Sequence, residues 1–148
     1  MFLFTPGTWL GEGTIQLSML QEPLSFFMRW RVRGADEEGV IEGTQEIQIK
    51  GHSDLMVNHF WISSMQPGVF SLFLENHAIG KLQGSGFVKE SMIGWEFRSS
   101  DVEGFEYYDK KEEEAYLVHA EFATSEQLRT VLRGKIWKSC LPKEKELL

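Results

Sequence analysis

Residues 24–33 read Leu24-Ser25-Phe26-Phe27-Met28-Arg29-Trp30-Arg31-Val32-Arg33, and their alternation decides the fold class. Leu24, Phe26, Met28, Trp30 and Val32 fall on one side of an extended chain and Ser25, Phe27, Arg29, Arg31 and Arg33 on the other, because successive side chains of a strand point to opposite faces. A helix would scatter both sets around its axis. The apolar set is expected inward and the arginines outward as a solvated basic stripe. The connection before it, Gln21-Glu22-Pro23, has no room for a helix, so the preceding strand pairs with it directly.

Working outward, the same period recurs along the chain, bounded by turn residues. Strands are expected near Thr8 to Ser18, Leu24 to Arg33 and Val40 to Lys50, then after the turn 51–54 to about Ser64, at Val69 to Glu75, and after the Asn76-His77 turn to about Val88. Four more follow at Met92 to Ser99, Glu103 to Asp109, Ala115 to Ala123, and Gln127 to Lys138. Ser125 to Arg129 also suits a helix start, while Val131, Ile136 and Trp137 favour strand. Gly84-Ser85-Gly86 reads as a bulge or bend, and the carboxylate-rich run from Asp101 to Glu114 as a solvated hairpin tip. The expectation is all-β: one domain over residues 1–148, with 141–148 a frayed tail, folded as a single up-and-down antiparallel barrel of about ten strands without lid helices. Ten strands make a barrel wider than one that side chains just fill, so an interior cavity is expected.

The chain has 148 residues and an aromatic content of 13%, including eleven Phe and five Trp, which suits strands around a large core. Its formal net charge of −7 opposes sequence-independent binding to nucleic acid, which needs a positive field over phosphates. Cys140 is the single cysteine, so no intrachain disulfide or thiolate metal site forms, and a reducing cytoplasm fits. The opening Met1-Phe2-Leu3-Phe4 has no basic flank and is too short an apolar run for a signal peptide; no segment is long enough for a membrane helix. Expected partners are a small hydrophobic ligand and a second copy of the chain, with no nucleic acid, no membrane and no metal.

Gly7-Thr8-Trp9-Leu10-Gly11-Glu12-Gly13, opening the first strand of a meander, resembles the start of calycin barrels, and is most similar to nitrobindin and fatty-acid-binding-like domains. The resemblance covers about seven residues directly. It implies that Trp9 packs across the closed barrel end beneath a basic side chain of the last strand, Arg133 or Lys135. It also implies a ligand-holding lumen. The chain departs from fatty-acid-binding proteins in lacking room for a helix pair after the first strand, and from lipocalins in lacking a C-terminal helix. Nitrobindins hold haem through a histidine near the end of the barrel. Residues 122–138 contain none, and His119 lies nearby but outside that motif.

Candidate lumen residues are Phe26, Met28, Trp30, His59, Trp61, Trp95 and Tyr107, mostly aromatic or apolar side chains with the imidazole of His59 among them. His59 shares a face with Leu55, Val57 and Trp61, and an inward histidine would orient a ligand or act as acid or base. His52 and His77 fall at turns. Three functions follow. The first is a cytoplasmic barrel binding a hydrophobic or amphipathic small molecule in its lumen, with no resident cofactor. The second is a haem-binding, nitrobindin-like enzyme using His59 or His119. The third is a filled structural barrel acting through protein contacts, as a homodimer across Phe27.

Overall fold

The computed structural model describes residues 2–140; the tail at 141–148 lies outside them. A short 3-10 turn, η1 (Phe2–Phe4), precedes ten strands. These are β1 (Gly7–Leu17), β2 (Leu24–Val32), β3 (Ile41–Ile49), β4 (Leu55–Gln66) and β5 (Val69–Asn76), then β6 (Gly80–Lys89), β7 (Met92–Arg98), β8 (Val102–Glu112), β9 (Ala115–Thr124) and β10 (Arg129–Lys138). Each strand pairs antiparallel with its sequence neighbour, and β1 pairs with β10 to close the barrel. Closure leaves no unpaired sheet edge.

Alternation places the faces. Phe26, Met28, Trp30 and Val32 are buried while Ser25, Phe27, Arg31 and Arg33 are exposed, as the pattern of β2 requires. The arginine stripe is answered by carboxylates on β3: Arg29 pairs with Glu46 at 2.7 Å and Arg33 with Glu42 at 3.6 Å. Between Thr124 and Arg129 there is a turn rather than a helix or strand: Gln127 sits at φ +65° and the Leu128 N–H donates to Thr124 Oγ1. Gly84-Ser85-Gly86 is an unbroken part of the β5–β6 and β6–β7 ladders, not a bulge. Its glycines make space, since a Cβ on Gly86 would stand 2.0 Å from the Phe70 ring. Register shifts occur instead at Ser63/Gln66 and Lys110/Glu112. The second lies inside the run read as a solvated tip, most of which is strand β8.

The expected interior cavity is occupied. Trp30, Ile62, Leu72, Ile93, Trp95, Tyr108 and Ile136 are each 0% exposed, and Phe26, Phe60 and Phe97 are 1%. Rings meet rings through the middle: Trp30 lies 5.0 Å from Phe60, 6.1 Å from Trp95 and 6.2 Å from Tyr108, centroid to centroid. Each large ring contributes roughly 2–3 kcal/mol by burial, so bulky aromatics stabilise a barrel that aliphatic side chains would leave hollow. Strand starts and ends define two rims. At the rim holding Gly7 and Lys138, η1 folds inward, with Phe2 and Leu3 each 1% exposed. Toward the other rim, Leu17, Leu24, Ile49, Leu82 and Phe122 are only half buried against the core.

Candidate functional site

The inward residues of β3 and β8 place polar groups within this apolar lumen. Gln45 on β3 is 1% exposed and Glu106 on β8 is 4% exposed. The Tyr108 hydroxyl donates to the Glu106 carboxylate and accepts from the Trp30 indole N–H at 3.0 Å. Gln45 Nε2 donates to Glu106 Oε2 at 2.8 Å and to the Tyr108 hydroxyl at 3.1 Å. The amides continue toward the rim: Asn58 Nδ2 donates to Gln45 Oε1 at 2.8 Å, and Asn76 Nδ2 to Asn58 Oδ1 at 2.9 Å. Asn76 Oδ1 then accepts the backbone N–H groups of Ala78 and Ile79 in the β5–β6 turn. Cross-strand register builds this line, because Trp30, Gln45 and Asn58 stand opposite one another on β2, β3 and β4.

Burial sets the electrostatics. Loss of hydration pushes the Glu106 carboxyl up to about 7, against the opposing pull of hydrogen bonds from Tyr108 and Gln45. Tyr108 is raised well above the usual phenol range by burial and by the adjacent Glu106 charge. Near neutral pH, Glu106 is thus poised between acid and carboxylate in a site without bulk water. On β7, Trp95 stands opposite Glu106 in the ladder, and its Nε1 is the one buried side-chain polar atom without a hydrogen-bond partner among the described residues. The Trp95 and Tyr108 rings lie 5.6 Å apart. An unaccepted buried N–H costs about 1–3 kcal/mol, so it is a donor that favours any acceptor brought near it.

The expected lumen residues divide between the two faces. Phe26, Met28, Trp30 and Trp95 point inward. His59, Trp61 and Tyr107 do not: the inward residues of β4 are Phe60 and Ile62, and those of β8 are Glu106 and Tyr108. Both strands carry apolar or aromatic residues on each face, so alternation alone does not orient them. The outward rings are covered in other ways. The Lys81 ammonium lies 5.7 Å from the Trp61 ring and 4.8 Å from Phe73. Tyr107 stacks on His119 at 5.4 Å and on Phe105 at 5.7 Å. His119 bonds Glu121 at 2.8 Å and accepts from Arg133 Nε at 3.3 Å. The hydrogen bond from Arg129, and after it the one with His119, holds the Glu121 carboxyl below its usual range.

Two further expectations are corrected. Trp9 is buried at one end of the barrel, but Arg133 and Lys135 are on the outer wall, Arg133 against His119 and Lys135 5.9 Å from the Trp137 ring. The basic residue paired with Trp9 in the β1–β10 ladder is Lys138. The haem reading needs an axial ligand inside, yet His59 is exposed and His119 belongs to the outer stack, so neither fits a haem held in the lumen. Among the described residues no group of three or more His, Cys, Asp or Glu is arranged to hold a metal ion. Sequence reading passed over Glu106, Gln45, Asn58 and Asn76. The available signal was parity on β8, where Glu106 is in step with Val102, Gly104 and Tyr108.

No family model and no curated protein matches this chain. Solved structures do. Rv2717c from M. tuberculosis is 14% identical, with a TM-score of 0.71 over 93% of this chain and 92% of that one. The S-type phycobiliprotein lyase CPES from Guillardia theta is 8% identical, with a TM-score of 0.69 over 93% of this chain and 90% of that one. At these identities the likeness is one of fold: the protein is an all-β, ten-strand antiparallel barrel of calycin-like architecture.

Proposed function

We infer that the protein binds a small hydrophobic or amphipathic molecule inside the barrel, its polar end accepting a hydrogen bond from Trp95 Nε1 beside the Glu106–Tyr108–Gln45 network. The observation that carries this reading is the buried, unaccepted Trp95 N–H. An apolar enclosure with a few convergent polar groups and a shifted carboxyl is the usual make-up of a small-molecule site. A purely structural core gains little from Glu106, whose burial opposes its charge. A neutral acceptor such as a carbonyl suits the site better than a carboxylate, which would face Glu106. Because the lumen is filled, the ligand takes space now held by side chains. The shared fold with a phycobiliprotein lyase is compatible with a working lumen and, at 8% identity, transfers no residue.

Acetophenone and α-methylstyrene have closely similar shapes and differ in the carbonyl, so titrating both by tryptophan fluorescence tests the claim. Acetophenone binds wild type more tightly, and Trp95→Phe abolishes the difference. Equal binding of the two, or binding of neither, overturns the reading.

The filled interior favours a second reading, in which the outer wall acts. A groove of about 580 Å³ there includes Leu10, Phe27, Leu55 and Trp137, with Phe27 58% exposed. A homodimer across this face would be seen by light scattering and weakened by Phe27→Glu.

A further inference from the structure

The 3-10 turn η1 supplies two rings to the core: Phe4, half buried edge-to-face against Phe70, and Phe2, fully buried inside the lumen. Phe2, on η1, is surrounded by rings from four strands: Trp9 of β1 at 5.6 Å, Trp30 of β2 at 5.6 Å, Tyr108 of β8 at 4.6 Å and Tyr116 of β9 at 5.4 Å. Three of the four meet it edge to face, and the Tyr108 ring is tilted. Edge-to-face geometry around one ring is what a binding site for an aromatic group offers. Walls and occupant are held differently. The walls belong to a closed ladder; the occupant sits on a three-residue turn outside the sheet, linked to Tyr116 by a hydrogen bond with the Phe2 backbone. The floor of the cage is Tyr108, the residue bonded to Glu106. Outside it lies a depression of about 180 Å³ whose lining includes Phe2, Trp9, Tyr116, Lys110 and Lys138.

We propose that the cage of Trp9, Trp30, Tyr108 and Tyr116 is a binding site for a small uncharged aromatic molecule, and that Phe2 is an exchangeable internal occupant which such a molecule displaces. This rests on the reading of the barrel as a ligand binder and adds where the ring sits and from which end it arrives. The route runs past η1, at the rim of Gly7 and Lys138, rather than through the rim of Leu17 and Leu24. Displacement swaps one ring for another, so the cage stays filled and the strands keep their register. It also brings a ligand into contact with Tyr108 and so beside the polar network. Lys110 is paired with Glu113 at 3.3 Å, and Glu114 also borders the depression, so its charges are mixed and favour neither an anion nor a cation.

Fluorobenzene is the probe, followed by ¹⁹F NMR, while nuclear Overhauser contacts from the Phe2 ring to Trp9, Tyr108 and Tyr116 are read in the same samples. In wild type those contacts fade in proportion as the probe saturates. Phe2→Ala, which vacates the cage, binds the probe about tenfold more tightly or better, because the closed fraction no longer competes. Phe2→Leu serves if the alanine variant does not fold. Saturation of wild type with the Phe2 contacts intact overturns the proposal and leaves lumen binding standing. Binding to Phe2→Ala but never to wild type makes Phe2 a permanent core residue, and no binding to either folded protein shows that the cage rejects rings; both overturn it. Failure of lumen binding itself reads out separately, as loss of the carbonyl preference at Trp95.

Discussion

The Trp30 indole N–H donates to the Tyr108 hydroxyl at 3.0 Å, joining β2 to β8 through the interior of the barrel. Neither residue is exposed, and 78 positions separate them in the chain. The bond ties the polar network to opposite walls. Replacing Tyr108 by Phe leaves the Trp30 N–H and one Gln45 N–H without that acceptor and removes a donor to Glu106. Tyr108→Phe is expected to lower stability by about 3 kcal/mol in urea unfolding, with little change in the m-value.

Glu106 makes stability depend on pH in a direction opposite to that of an ordinary paired carboxylate. Its folded-state pKa is about 7 against an ordinary value of 4.5, so between these limits the folded chain holds more protons than the unfolded one. The contribution is fully present below about pH 4.5 and is lost as pH rises through about 7, about 3 kcal/mol in all. Asp109 and Glu121, with lowered values, act in the opposite sense at acid pH. The difference between wild type and Glu106→Gln, measured by urea unfolding from pH 4 to 9, isolates the Glu106 contribution. It should vary in this window and be flat above it.

Gly84 and Gly86 of β6 leave space for the rings of Phe97 and Phe70. Gly86→Ala places a Cβ within 2.0–2.4 Å of three Phe70 ring atoms. A loss of at least about 2 kcal/mol follows in thermal or urea unfolding. Adding Phe70→Leu should recover part of it, giving a non-additive cycle, whereas additive losses would mean that the ring is not the obstacle.

Outer-wall positions should be quiet by comparison. His59→Ala changes stability by no more than about 0.5 kcal/mol, because the ring is exposed and its Trp61 contact is long, at 6.3 Å. A loss of several kcal/mol would place His59 in the core.

These contrasts mark what was legible in the sequence. Strand β2 oriented itself, since arginines fill one face and Phe26, Met28 and Trp30 the other. The ten-strand count and the meander followed from the hairpin-length connections. β4 and β8 carry bulky apolar or aromatic residues on both faces, and there only the pairing register chooses: Asn58 opposite Gln45 turns His59 and Trp61 outward. Glu106 was hidden because a carboxylate amid lysines and glutamates reads as solvated. Its burial is supported by Tyr108, next but one on the same strand, and by Gln45, 61 residues away in the chain. Phe2, too close to the chain start to show any period, gave no sign that it fills the barrel.

Native mass spectrometry of wild type and Trp95→Phe purified side by side, followed by organic extraction, tests the ligand-binding account most directly. It predicts a stoichiometric extra mass on wild type, acquired in the cell or on incubation with acetophenone, that is reduced or absent in the variant. A clean apo mass under both conditions, or an adduct equally abundant on both proteins, would contradict a lumen ligand accepted by Trp95.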